Sequence, residues 1–294
     1  MLTYRHHTWL HILFMGRGTF VRGVPLRVLT FGLIALVVTV VDLRFSTRVE
    51  MPVGLHEVGG AVVALILAFR ANTAYARFWE ARTIWGTLVN TARNLARLLD
   101  RYTAGKGRPL MPWIATFAHA LRTRLRDEPL DIAPRGLLAP LDVAWLEQAP
   151  HPVLAAADAL SAGVSGLQRH GHLEPLMAQR AESLVGEMVT CLGGCERIRS
   201  TPTPLGYVLL IERLVAVYLF SLPFALVARA GWSTPLVTMA IAYPVLMLDA
   251  LAIELDDPFG HDPNDLDLTR ITGVIEQDVK HEPEPPYPEA AIAD

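Results

Sequence analysis

The chain has 294 residues, a formal net charge of -3, 52% hydrophobic residues and only 19% charged ones. The length allows one large domain or two ordinary ones, and a near-neutral total argues against a nucleic-acid or polyanion partner. The low charged fraction, with a positive mean hydropathy, leans away from a plain cytosolic enzyme and toward a membrane protein.

The N-terminal stretch carries Arg5, Arg17, Arg22 and Arg27, with His6, His7 and His11 spaced for one helical face. An interfacial amphipathic helix explains those histidines as well as a ligand cluster does. Four apolar runs follow along the chain: 28–41, 58–69, 214–227 and 232–248. Each is shorter than the roughly 20 residues of a spanning helix, so each taken singly also fits a buried core helix. Terminal arginines snorkel to headgroup level, and Tyr75, Phe78, Trp79 and Trp232 supply interfacial aromatics. These features predict four membrane helices at about 24–43, 56–79, 205–229 and 232–253, with a soluble helical bundle as the competing reading. No small-x-small cleavage site follows the first run, so that segment is expected to stay in the mature protein.

Charge orients the spans. Arginines crowd the N-terminal stretch and the region after the second run, whereas 43–57 holds only Arg44 and Arg48, and the connection between the third and fourth runs holds Arg229 alone. Both termini and the long middle region are therefore expected on the cytoplasmic side.

The second run has a pattern of its own. Gly60, Ala64 and Ala68 recur every four residues, a stripe that lets helix backbones approach closely in a bilayer. One step round the cylinder lie Ala61, Leu65 and Phe69. Such a helix would line a narrow constriction, a gate or filter.

The middle, about 80–200, predicts a helical cytosolic region. No proline interrupts 58–105, so the second membrane helix should run on into an amphipathic helix with Ile84, Leu88, Thr91, Leu95 and Leu98 on one side. Further helices are expected over 112–126, 152–168 and 175–198. Gly105, Gly107 and Pro109 mark a turn; Pro129, Pro134, Gly136, Pro140 and Pro150 mark a looser stretch. Residues 281–294 are proline-rich and acidic and are expected to be disordered.

Catalytic signals are missing: no nucleophile elbow, phosphate loop, dinucleotide fingerprint or HExxH is present. Cys191 and Cys195 share a helical face but lack the further ligands a zinc site requires, so they are read as small buried residues. His151 and His172 stand apart and read as solvated or capping residues. The densest polar segment is 254–267, ELDDPFGHDPNDLD. Its carboxylates, bent by Pro258, Gly260 and Pro263, suit either converging cation ligands or an acidic exit from a membrane helix, with Asn264 or Asp265 capping a helix over 266–279.

Three motifs together, LAFRANTAYARFWEARTIWGTLVNTARNLAR at 67–97, Pro202 and Pro204 leading into LGYVLLIERLVAVYLFSLPFALV at 205–227, and ELDDPFGHDPNDLDL at 254–268, resemble the bestrophin family in its bacterial branch. The resemblance spans about residues 1–280 as a single channel domain. It implies an all-α homopentameric ion channel in the bacterial inner membrane, each subunit giving four membrane helices and a helical cytosolic region around one axial pore. Its partners would be its own copies, lipids and small inorganic ions, with no enzymatic activity and no cofactor. By position the pore neck falls on Ala61, Leu65 and Phe69; Ala61 stands where the family usually carries a bulky aliphatic residue. A second, cytosolic aperture maps to Gln179, polar where an apolar residue is usual. Animal members bind calcium through the loop matching Asp262 and Asp265; bacterial members look calcium-independent, and a structural use of this loop is favoured. Anion (chloride) conduction is the family-level activity. A bacterial relative looks cation-permeable, so monovalent-cation (sodium) conduction stays open, as does a non-conducting membrane scaffold.

Overall fold

The computed structural model describes residues 23–45, 51–132 and 135–280. His6, His7 and His11 and the acidic tail at 281–294 lie outside the described residues. Every regular element among the described residues is helical. The chain divides into two compact units, one built from residues up to Glu80 with Thr201–Leu266, the other from Ala81–Ser200 with the residues from Asp267 onward.

The first unit contains α1 (Val24–Phe45), the N-terminal part of α2 (Val53–Arg101), α7 (Leu205–Ala230) and α8 (Thr234–Asp256). Three helical stretches are long and apolar enough to cross a membrane: Val24–Phe45, Val53–Arg101 and Leu205–Asp256. The last is two helices, because the short 3-10 turn Gly231–Ser233 separates α7 from α8. Gly231 sits there at φ +50° and ψ −126°, a conformation that a side chain resists and glycine accepts. α1 packs against both α7 and α8, and those two pack on each other. Their shared core joins Val63 and Leu67 of α2 to Ile211, Val215, Leu219 and Leu222 of α7, and to Ala242, Leu246 and Ala250 of α8. Pro223 and Pro244 lie inside α7 and α8; membrane helices tolerate such breaks because neighbouring groups satisfy the freed backbone.

The second unit is organised around α3 (Met111–Leu125), whose residues from Ile114 to Thr123 are all buried. α5 (Pro152–Arg169), α6 (Pro175–Ser200) and α9 (Leu268–Lys280) pack on it, and α5 also contacts α6. The C-terminal part of α2 buries Leu88, Thr91, Leu95 and Leu98 and exposes Arg93 and Arg97, as its periodicity predicts. α2 and α6 approach closely, since a Cβ on Gly194 would lie 2.8 Å from Ile84.

Two local expectations are corrected. The looser stretch contains a helix, α4 (Pro140–Gln148), started by Pro140 at a first-turn position where its fixed φ suits a helix. Val143 and Leu146 anchor it. The last helix begins at Leu268 and not at 266, and its cap is Asp267, whose Oδ1 accepts a 3.0 Å hydrogen bond from the Arg270 N–H. Asn264 and Asp265 have other partners in the acidic loop.

The remaining polar residues have structural surroundings. Cys191 and Cys195 are buried free thiols; burial pushes Cys191 up to about 11 and Cys195 higher still, so neither is a reactive thiolate at neutral pH. His151 caps α5 by accepting from the Leu154 N–H at 3.2 Å, and His172 is exposed. His119 is buried against Glu276 at 2.8 Å, and its burial lowers its pKa.

Candidate pore helix and the charged cluster behind it

The first half of α2 has two faces. Val63, Leu67, Arg70 and Ala74 point into the helix bundle, while Ala61, Leu65 and Phe69 are all exposed. Leu65 is 56% and Phe69 59% accessible, so the ladder lies on a side that no other part of the described chain covers. The small-residue stripe is split between uses. Gly60 meets Tyr218, whose hydroxyl would lie 2.7 Å from an added Cβ. Ala64 and Ala68 are exposed beside the ladder.

On the buried face, one residue after Phe69, the Arg70 guanidinium donates to the Asp249 carboxylate and lies 3.5 Å from Glu212. Arg70 is 6% and Asp249 0% accessible. Three helices, α2, α7 and α8, are therefore tied by one cation and two carboxylates within apolar surroundings. Asp249 Oδ2 accepts no hydrogen bond from the described residues. In the sequence, Arg70 and Asp249 each stand directly after an apolar run and Glu212 just before another, and none of the three is a site candidate there. The available signal was one cation and two anions inside predicted membrane segments, where ionisable groups are costly unless paired.

A second tie lies toward the end of the same helices. Arg77 donates to the Thr201 carbonyl at 2.6 Å and the Asp256 carbonyl at 2.7 Å. Asp256 accepts from the Thr203 hydroxyl at 2.6 Å. The Pro202–Pro204 segment is thus pinned to the exit of α8 on one side and to α2 on the other.

Beyond α8 the acidic loop folds upon itself. Asp265 is 4% accessible, and its Oδ2 accepts the Asp262 N–H at 2.7 Å. The Asp262 residue is exposed, while Asn264 donates to Glu254 at 2.6 Å. Burial, with Asp262, Asp257 and Glu254 nearby, pushes the Asp265 carboxyl up to about 6. Gly260 leaves room for this closure, since a Cβ there would lie 2.7 Å from Asp265 Oδ2. Among the described residues, no group of three or more His, Cys, Asp or Glu side chains is arranged to hold a metal ion. Gln179 stands exposed in the first turns of α6, between buried Ala178 and Ala181.

Residues 1–281 match the family described as Bacterial/Fungal Bestrophin protein. The chain belongs to the bestrophin family. A protein of Synechocystis named as voltage-dependent anion channel-forming is 33% identical over 279 residues, covering 92% of this chain and 91% of the relative. A Ralstonia nicotianae protein of the same description is 32% identical, covering 95% and 94%. The crystal structure of a bacterial bestrophin homolog from Klebsiella pneumoniae superposes with a TM-score of 0.82 at 29% identity, covering 87% of this chain and 97% of that one. Family membership makes this bestrophin a member of a family of ion channels. Each stretch that carried the resemblance has a definite place in the bestrophin fold: 67–97 is the central part of α2, 205–227 most of α7, and 254–268 the exit from α8 with its closed acidic loop.

Proposed function

We propose that this bestrophin is a passive anion channel, conducting chloride, assembled as a homopentamer with one axial pore. Each subunit contributes four membrane helices, α1, the first part of α2, α7 and α8. The observation that carries this reading is the uncovered ladder Ala61, Leu65 and Phe69 on α2, in a chain whose relatives are named as anion channel-forming proteins. Five copies would convert this exposed apolar face into a neck, and Ala64 and Ala68 would let neighbouring α2 helices approach closely. The neck is widest at Ala61 and narrowest at Phe69. Ring edges carry partial positive charge, so Phe69 edges turned toward the axis favour an anion that has shed part of its water.

The charge asymmetry of the connections supports a bacterial inner-membrane location with both termini cytoplasmic. The second unit then forms the cytosolic layer, with Gln179 lining a polar second aperture. The acidic loop works as a structural closure through Asp265, and conduction needs no calcium or other cofactor.

Cysteine cross-linking and planar-bilayer currents test the pore assignment together. A Leu65→Cys variant should give subunit cross-links, and Phe69→Ala should raise the current carried by purified protein. A silent wild type, or Phe69→Ala and Leu65→Ala currents equal to wild type, removes the assignment and favours a non-conducting scaffold.

A further inference from the structure

The second unit has a cleft of about 490 Å³ whose walls are basic and whose floor is apolar. Arg93, Arg97 and Arg101 stand on one stripe of α2 at intervals of four, and Arg108 and Lys280 complete the cationic wall. The acids at hand are already engaged: Asp278 with Arg93 at 2.8 Å, Asp100 with Arg108 at 2.9 Å, and Glu276 with Lys280 at 2.6 Å. Arg97 and Arg101 have no hydrogen-bonding or ionic partner among the described residues. Like charges one turn apart destabilise a helix, so Arg97 and Arg101 carry a repulsion that an anion would relieve.

The first turn of α3 closes the same cleft through Met111 and Pro112. The 3-10 turn Arg108–Leu110 runs directly into α3, the Met111 N–H already donates to the Arg108 carbonyl, and Pro112 has no N–H, so the side chains of the cleft supply its anion-binding groups. Two adjacent guanidiniums with no acidic partner among the described residues suit a group with two negative charges and several acceptor oxygens. Guanidinium matches phosphate in shape as well as charge, giving two parallel hydrogen bonds per arginine.

We propose that this cleft binds a phosphate-bearing anion, held by Arg97 and Arg101 against the first turn of α3, with the rest of the ligand on the apolar floor. The site is separate from the pore residues and does not depend on the channel reading. Two sources share this chemistry, a soluble phosphate compound and a phospholipid headgroup.

The purified full-length protein is titrated calorimetrically with inorganic pyrophosphate, and lipid retention from nanodiscs containing phosphatidylglycerol is followed in parallel by native mass spectrometry. The expected result is saturable binding in at least one arm. It should weaken roughly tenfold or more in Arg97→Gln/Arg101→Gln and stay unchanged in Arg169→Gln, an exposed arginine of α5. Pyrophosphate binding identifies a soluble source; lipid retention alone identifies a headgroup. No saturable binding in either arm, equal binding by the double variant, or equal weakening in Arg169→Gln overturns the proposal. If the double variant melts below wild type, Arg101→Gln alone replaces it under the same criteria.

Discussion

Phe69 and Arg70 are neighbours in the chain and opposites in environment: the ring is exposed, and the guanidinium is buried against Asp249. A 100° step along α2 therefore separates the proposed ion path from the charges that hold the helix in place. Breaking a buried ion pair by removing one member leaves the other uncompensated. Asp249→Ala should lower stability by about 3–5 kcal/mol, measured as the unfolding of detergent-solubilised protein, whereas Phe69→Ala should leave stability nearly unchanged and act on current. Asp265 supplies a pH-dependent counterpart outside the membrane segments. Its ordinary value is 3.8 and its folded value about 6, so between those values the folded state keeps a proton that the unfolded state has released. Stability from this group is full below about pH 4 and falls as pH rises through about 6. Asp265→Asn should match wild type in acid and exceed it at neutral pH by up to about 3 kcal/mol, read from melting curves across that range. The Arg70 cluster was not legible from local sequence because its ion pair joins residues 179 positions apart. In the sequence, Arg70 and Asp249 look the same as residues that snorkel at helix ends.

At the scale of elements, α2 was legible because nothing interrupts it: no proline occurs from Val53 to Arg101, and its apolar face persists throughout. α4 was hidden by the feature that starts it, since Pro140 marks a turn and a helix beginning equally well. The start of α9 was misplaced for a related reason. Asn, Asp and Asp occur at 264, 265 and 267, and only the fold decides which carboxylate meets a free backbone N–H. The α7–α8 reversal depends on Gly231 at positive φ. Gly231→Ala should cost about 1–3 kcal/mol and lower the melting temperature, because the methyl group demands a backbone change at the one point where the two helices turn back.

For the whole molecule, the exposed side of α2 is the feature that a single chain leaves unexplained. Leu65 and Phe69 join many other exposed apolar residues on α1, α7 and α8, among them Leu33, Val217 and Leu236. On the proposed channel reading, lipid covers those. A ladder flanked by Ala64 and Ala68 on a helix that extends beyond the apolar segment suits an axis shared by several copies. If that account holds, Leu65→Cys cross-links between subunits while Leu33→Cys on α1 does not. Ion sign follows from the field inside the neck, which depends on ring orientation and vestibule charge in the assembled oligomer and so was not legible in one chain. The decisive measurement is the reversal potential of purified protein in a planar bilayer under a KCl gradient. An anion channel predicts reversal toward the chloride equilibrium potential; reversal toward the potassium equilibrium potential would contradict it.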